Sequence, residues 1–102
     1  MSFKRTMPRN PDELLTYLKK IHDNKSHVKK VEVNLTNAHL EVDLDGMANF
    51  AGNPDVYLPL KRAKVNDAKL LVERMLRASS AGYAPSEAEA RELYDMLDPV
   101  GQ

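Results

Sequence analysis

Two runs of alternating apolar and polar residues constrain the fold more than any other feature of the sequence. Residues 31–35 and 38–44 alternate in this way, and Thr36-Asn37 lies between them. Because successive side chains of a strand point to opposite faces of a sheet, the pattern predicts an antiparallel hairpin with one apolar and one polar face. A two-residue turn sets Val33 opposite Leu40. The same register predicts four further pairs: Leu35 with Ala38, Val31 with Val42, Lys30 with Asp43, and Glu32 with Glu41.

Capping residues and apolar spacing predict a helix before the hairpin. Asn10 is a typical N-cap, Pro11 follows at the first helical position, and Glu13 forms a capping-box-like pair with Asn10. Apolar residues then recur every three or four positions until His-Asp-Asn at 22–24 ends the pattern. The predicted apolar stripe consists of Leu14, Leu15, Leu18 and Ile21.

A loop, a short strand and a second helix are predicted after the hairpin. Residues 45–55 have a loop composition, and residues 56–60 predict a short strand that Pro59 confines to a sheet edge or to an early end. Either Asn66 or Asp67 is the predicted cap of the second helix. Its predicted apolar stripe is Ala68, Leu71, Val72, Met75, Leu76 and Ser79, and Gly82 suits the position after its end.

A third helix completes the predicted architecture. Ser86 and Glu89 have the spacing of a capping box, and Asp98-Pro99 ends the helix. The order α-β-β-β-α-α predicts an α+β fold in which helices cover one face of a small antiparallel sheet. We expect a single domain over residues 1–102, with a flexible arm at 1–9 and a flexible tail at 99–102.

Opposite charges occupy separate blocks of the chain, although the formal net charge is zero. Residues 1–30 carry a net charge of +5, residues 31–60 carry −5, residues 61–77 carry +4 and residues 78–102 carry −4. This segregation predicts surfaces of opposite sign, which favour fast and specific docking of a charged partner.

The basic residues are therefore the predicted binding residues. One set surrounds the start of the second helix, where free N–H groups and the helix dipole already attract anions. The other set lies in the first helix and in the segment that follows it. The two sets are Lys61, Arg62, Lys64 and Lys69, and Lys19, Lys20, Lys29 and Lys30. Phe50, in the loop after the hairpin, either anchors a partner or packs back over the sheet.

The motifs of catalytic and metal sites are incomplete in this sequence. The four glycines are too far apart for a nucleotide-binding loop, and no serine lies in a nucleophile elbow. Residues 41–46 are similar to the first half of a calcium loop, but Gly52 stands where the bidentate glutamate belongs. His39 and nearby carboxylates on the polar face of the hairpin are better explained as a solvated strand face. The sequence predicts no enzyme, no cofactor and no metal.

The order of the first five elements resembles that of double-stranded-RNA-binding domains, which place basic residues at the start of their last helix on the RNA. His39, Lys64, Asn66, Ala68 and Lys69 are similar in position to residues of that family. The hairpin turn lacks the Gly-Pro of the family, and the second helix lacks its adjacent lysine pair. The sequence therefore assigns the chain to no family.

Composition predicts one small globular domain. The chain of 102 residues has no cysteine, and no uncharged stretch exceeds nine residues. We therefore predict a cytoplasmic protein with no disulfide and no membrane span. The predicted function is a non-enzymatic interaction module, either an adaptor or an inhibitor, that docks on a protein partner through its charged surfaces. The alternative is nucleic-acid binding through the basic residues, and self-association is left open.

Overall fold

The computed structural model describes residues 7–44 and 56–98 and confirms the predicted α+β class and element order. A 3₁₀ turn, Lys25–His27, precedes the first strand, and a second 3₁₀ turn, Arg62–Lys64, precedes the second helix. The helices are α1 (Pro11–Asp23), α2 (Val65–Ser80) and α3 (Glu87–Met96), and the strands are β1 (Val28–Asn34), β2 (His39–Leu44) and β3 (Val56–Pro59).

The three strands form an antiparallel sheet in the order β1-β2-β3. The predicted pairs from Lys30–Asp43 to Val33–Leu40 are all present. The register shifts by one residue between Val28 and Lys30, so Lys29 forms a bulge near the start of β1. Strand β3, which contains Pro59, lies at the far edge as its proline predicts.

The turn of the hairpin is longer than predicted. The last strand pair is Asn34 with His39, so the predicted pair of Leu35 with Ala38 is wrong. Asn34 causes the early end, because its side-chain oxygen accepts a hydrogen bond from the backbone N–H of Asn37 at 2.8 Å and turns the chain there. Leu35 consequently points into solvent with 45% of its surface exposed, while Ala38 adopts the left-handed conformation at φ 55°.

The N-terminal caps of α1 and α3 are largely those that the sequence predicts. Asn10 accepts a hydrogen bond from the backbone N–H of Glu13 at 2.9 Å. The Glu13 carboxylate reaches one residue beyond the predicted partner, because it accepts from the backbone N–H of Arg9 at 3.1 Å. The capping box of Ser86 and Glu89 is complete.

The predicted start of α2 is wrong. The helix begins at Val65 rather than after Asn66 or Asp67, because the preceding 3₁₀ turn continues directly into it and Lys64 occupies the cap position without a side-chain cap. Its end agrees with the prediction. Gly82 is left-handed at φ 94°, and the N–H groups of Gly82 and Tyr83 donate to the carbonyls of Ser79 and Ala78, a Schellman motif.

One core joins the inner face of the sheet to all three helices. Leu14, Leu40, Leu58, Leu93 and Val42 are its largest fully buried side chains. Helix α2 packs mainly on β1, whereas α1 packs mainly on α3. The third helix is therefore an integral part of the core and covers α1.

The N-terminal end of the described region is in contact with the fold. Within the predicted arm at 1–9, Met7 packs against the core and Pro8 is buried. Arg9 is held from two sides, since its Nε donates to Glu13 at 3.2 Å and its carbonyl accepts from the Tyr94 hydroxyl at 2.9 Å. Residues 1–6 of the predicted arm, the predicted loop at 45–55 and the predicted tail at 99–102 lie outside the described residues.

Candidate functional site

The strongest candidate site is the basic turn, defined here as residues 61–64, between β3 and α2. Lys61, Arg62 and Lys64 are all exposed. The backbone closes on itself here, since the N–H of Lys64 donates to the carbonyl of Lys61 at 2.8 Å. The sequence folds this way because Pro59 ends the strand and the 3₁₀ turn then winds into the first turn of α2.

Backbone hydrogen bonds fix the basic turn between two distant parts of the chain. On one side, the N–H of Leu60 donates to the carbonyl of Ala38 in the hairpin turn at 2.8 Å. On the other side, the N–H of Lys61 donates to the carbonyl of Met96 at 2.8 Å. Leu60 also forms a β-bridge with Leu97. The end of α3 and the hairpin turn therefore hold the position of the three cations.

Two of the three basic side chains are themselves anchored. The Nζ of Lys61 donates to the backbone carbonyl of Asp95 at 2.8 Å, and an Nη of Arg62 donates to the carbonyl of Thr36 at 3.1 Å. An ammonium group has three donors and a guanidinium group has five, so each retains donors for a partner. Both partners are neutral carbonyls, so neither positive charge is cancelled by an ion pair in these contacts.

Lys69 contributes less to this site than the sequence suggests. It lies one turn into α2, and its Nζ is 3.6 Å from the Glu73 carboxylate four residues later. This pair neutralises the charge of Lys69 locally, although an exposed pair of this kind is weak. The basic turn is therefore the part of the first basic set whose charges no ion pair compensates within the described residues, and two of its three side chains are anchored.

The second predicted basic set lies at the other end of the molecule. Lys19 and Lys20 are exposed on the last two turns of α1, and Lys29 is the bulge residue of β1. Lys30 belongs to the polar face of the sheet, where its Nζ lies 3.4 Å from Glu32 and 3.7 Å from Asp43. The negative charge and the hydrogen bond of Glu32 raise the pKa of Lys30.

The two basic sets are separated by the length of α2. That helix has 16 residues, so at 1.5 Å per residue its ends lie about 24 Å apart. Folding also joins blocks of opposite charge, because Arg74 of α2 pairs with Glu92 of α3 at 3.4 Å. The segregation seen in the sequence survives only in part, as two separate cationic regions.

The polar face of the hairpin carries a hydrogen-bonded cluster around Glu41. One oxygen of its carboxylate accepts from the side-chain amide of Asn34 at 2.9 Å and from the His39 ring at 2.8 Å. Burial on its own would raise the pKa of Glu41, but the hydrogen bonds from Asn34 and His39 outweigh it and hold the pKa below its ordinary value. Within residues 7–44 and 56–98, no group of three or more metal-ligating side chains occurs.

This cluster makes stability depend on pH. A carboxyl group whose pKa is lower in the folded state stabilises the fold above its unfolded pKa, near 4.5, and that contribution is lost as the pH falls through the folded pKa. We expect Glu41→Gln to lose less stability than the wild type between pH 7 and pH 3, as measured by urea denaturation. Asn34→Ala should also make stability depend less on pH, because it removes one of the hydrogen-bond donors to the Glu41 carboxylate. An unchanged pH profile in both variants would contradict this role of the cluster.

Phe50, the predicted apolar anchor, lies outside the described residues.

Comparison with known proteins adds no relative on which a function could be based. No protein-family model, curated protein or solved structure matches the chain. Among the described residues, no helix has the length and apolar character needed to cross a membrane.

Proposed function

We propose that the protein is a non-enzymatic interaction module that docks on an acidic surface of a protein partner through the basic turn. The observation that carries this proposal is the anchoring of exposed cations. Lys61 and Arg62 each donate one side-chain hydrogen bond to a backbone carbonyl, and their other N–H donors remain available to a partner. A set of charges held in place before binding matches the requirements of electrostatic docking, where complementarity determines the rate and the specificity of encounter.

Anchoring lowers the entropic cost of binding. A free lysine or arginine side chain loses about 1.5–2 kcal/mol of rotamer freedom when it is ordered. Lys61 and Arg62 are already restricted by their bonds to Asp95 and Thr36, so a partner has less ordering to impose. We infer that the basic turn acts as a rigid recognition element.

Nucleic-acid binding is the alternative, and the geometry favours it less. Phosphate contacts that add up along a duplex need a continuous basic surface. Here the two basic sets are separated by α2, and the Lys69–Glu73 and Arg74–Glu92 pairs lie between its ends. A gel shift with duplex DNA and duplex RNA distinguishes the proposals, because steeply salt-dependent retardation supports the alternative.

The decisive experiment reverses the charges of the basic turn. A partner captured by the immobilised chain is identified, purified and titrated against the wild type and the variant Lys61→Glu/Arg62→Glu/Lys64→Glu. We expect at least about a hundredfold weaker binding of the triple variant, because like charges then face each other across the interface. Lys64→Glu alone leaves both side-chain anchors intact, so its weaker binding cannot be ascribed to a misfolded turn.

The matched control is Lys19→Glu/Lys20→Glu, which reverses two exposed charges on α1 away from the basic turn. It should bind the partner as the wild type does. Equal binding of the triple variant and the wild type would exclude the basic turn. Sedimentation of the chain alone tests self-association, and a dimer that the triple variant disrupts would identify the partner as a second copy.

A further inference from the structure

A second concave surface lies at the opposite end of α2 from the basic turn. It is an open groove of about 210 Å³ between the end of α2, the start of β1 and the 3₁₀ turn that follows α1. Apolar side chains, among them Ile21, Val31 and Leu76, line it together with Lys25, Lys29 and Ser80. The groove thus combines an apolar lining with cationic side chains.

Two of the lysines that line the groove make no side-chain contact that stabilises the described part of the fold. Lys25 and Lys29 are exposed, and neither forms a hydrogen bond or ion pair through its side chain with any residue in the described part of the chain. Lys30 also borders the groove, but it is engaged with Glu32 and Asp43 on the sheet. Among residues 7–44 and 56–98, no acidic residue lines the groove, so no carboxylate of this part of the chain compensates the charge of Lys25 and Lys29 within it.

The C-terminal carbonyls of the two neighbouring helices are capped by groups other than these lysines. The C-terminal carbonyls of α2 at Ala78 and Ser79 accept the Schellman bonds from Tyr83 and Gly82. The carbonyl of Lys20, at the end of α1, accepts from both the backbone N–H and the side-chain amide of Asn24. Capping of the helices therefore does not account for the position of Lys25 and Lys29, which have no side-chain partner among the described residues, beside an apolar groove.

We propose that this groove binds an acidic peptide segment of a protein partner, with an apolar side chain of the peptide against Leu76 and its carboxylates at Lys25 and Lys29. The aliphatic stems of the two lysines extend the apolar wall, while their ammonium groups remain available to the carboxylates. Charge complementarity identifies the occupant as acidic, and the lining requires it to be partly apolar.

The shape of the groove favours a peptide over a small molecule. Small-molecule pockets usually enclose about 300–1,000 Å³, and this groove is smaller and open to solvent. It also runs beside β1, which is the outer strand of the sheet in the part of the chain that the structure describes. An extended segment can lie along that edge and insert one or two side chains into the groove. This site is independent of the basic turn and goes beyond the function proposed for it.

The test is a titration of the ¹⁵N-labelled full chain with three synthetic peptides, followed by NMR. The first peptide contains Asp, Glu and Leu; the second replaces the acids by their amides; the third replaces Leu by Gly. We expect only the first to produce saturable shifts of the amide signals of residues 25–31 and 76–80. In Lys25→Glu/Lys29→Glu its affinity should fall at least about tenfold, because like charges then oppose the peptide.

Two further variants separate shape from charge and one site from the other. Ser80→Trp should also weaken the first peptide, because it fills the mouth of the groove without changing its charge. Lys61→Glu/Lys64→Glu should bind it as the wild type does, so failure of the basic turn and failure of the groove give different results. Shifts confined to residues 61–69, unchanged affinity in Lys25→Glu/Lys29→Glu, or no saturable shift at millimolar peptide would overturn the proposal. Groove shifts with octanoate but not with the peptide would overturn it as well.

Discussion

Leu40→Ala is expected to lower the free energy of unfolding by about 2–5 kcal/mol. Leu40 is 1% exposed on the central strand, paired with Val33 on one side and Leu58 on the other. A cavity at this position removes contacts from both neighbouring strands and from the helices packed over them, and the sheet cannot collapse to fill it because its register is fixed. Urea denaturation followed by circular dichroism measures the loss.

Leu35→Ala is the matched control, since it removes the same atoms from the same hairpin. Leu35 is 45% exposed beside the turn, so its truncation should change the free energy of unfolding by no more than about 0.5 kcal/mol. Equally small losses in the two variants would show that Leu40 does not face the core, and equally large losses would show that Leu35 is buried as well. The comparison also tests the correction made to the hairpin turn, because the predicted pairing would bury both leucines.

In the hairpin, the strand register could be predicted from the sequence, whereas the length of the turn could not. A slip of one residue would turn every apolar side chain of one strand outward, so the alternation and the position of Thr36-Asn37 between the two runs predicted the register from Lys30–Asp43 to Val33–Leu40. The turn was different, because it depends on a single hydrogen bond from the backbone N–H of Asn37 to the side-chain oxygen of Asn34. Alternation carries no information about such a bond.

The start of α2 illustrates a second limit. Asn66 and Asp67 are good capping residues, but capping preference is worth only about 1 kcal/mol and yields to tertiary contacts. The bonds of Leu60 and Lys61 to Ala38 and Met96 hold the chain in a 3₁₀ turn that continues into the helix, so α2 starts earlier. Those partners are distant in sequence, and spacing within the helix cannot reveal them.

The candidate sites were predictable in residue type and unpredictable in arrangement. Charge counting selected Lys61, Arg62 and Lys64, yet their anchoring to two carbonyls appears only in the fold. Charge counting also selected Lys29 but not Lys25, and it missed the groove, because the apolar residues that line it are brought to the start of β1 by α2. Its sequence indication was a group of lysines in the segment that follows α1.

Leu93→Ala is expected to lower the free energy of unfolding by about 2–5 kcal/mol as well, and to affect the whole fold rather than α3 alone. Leu93 is fully buried, α3 is the main packing partner of α1, and Leu97 bridges to Leu60 beside the basic turn. An element integrated in this way unfolds together with the sheet, because its removal would expose the core residues of α1.

Two probes test this cooperativity in the Leu93→Ala variant: circular dichroism for the helices, and amide hydrogen exchange of β2 for the sheet. Both should report the same loss of stability. Loss confined to the amides of α3, with β2 protected as in the wild type, would show α3 to be a separate unit. In that case the carbonyls of Asp95 and Met96 could not hold Lys61 in place when α3 opens, and the basic turn would lose the rigidity on which its proposed docking depends.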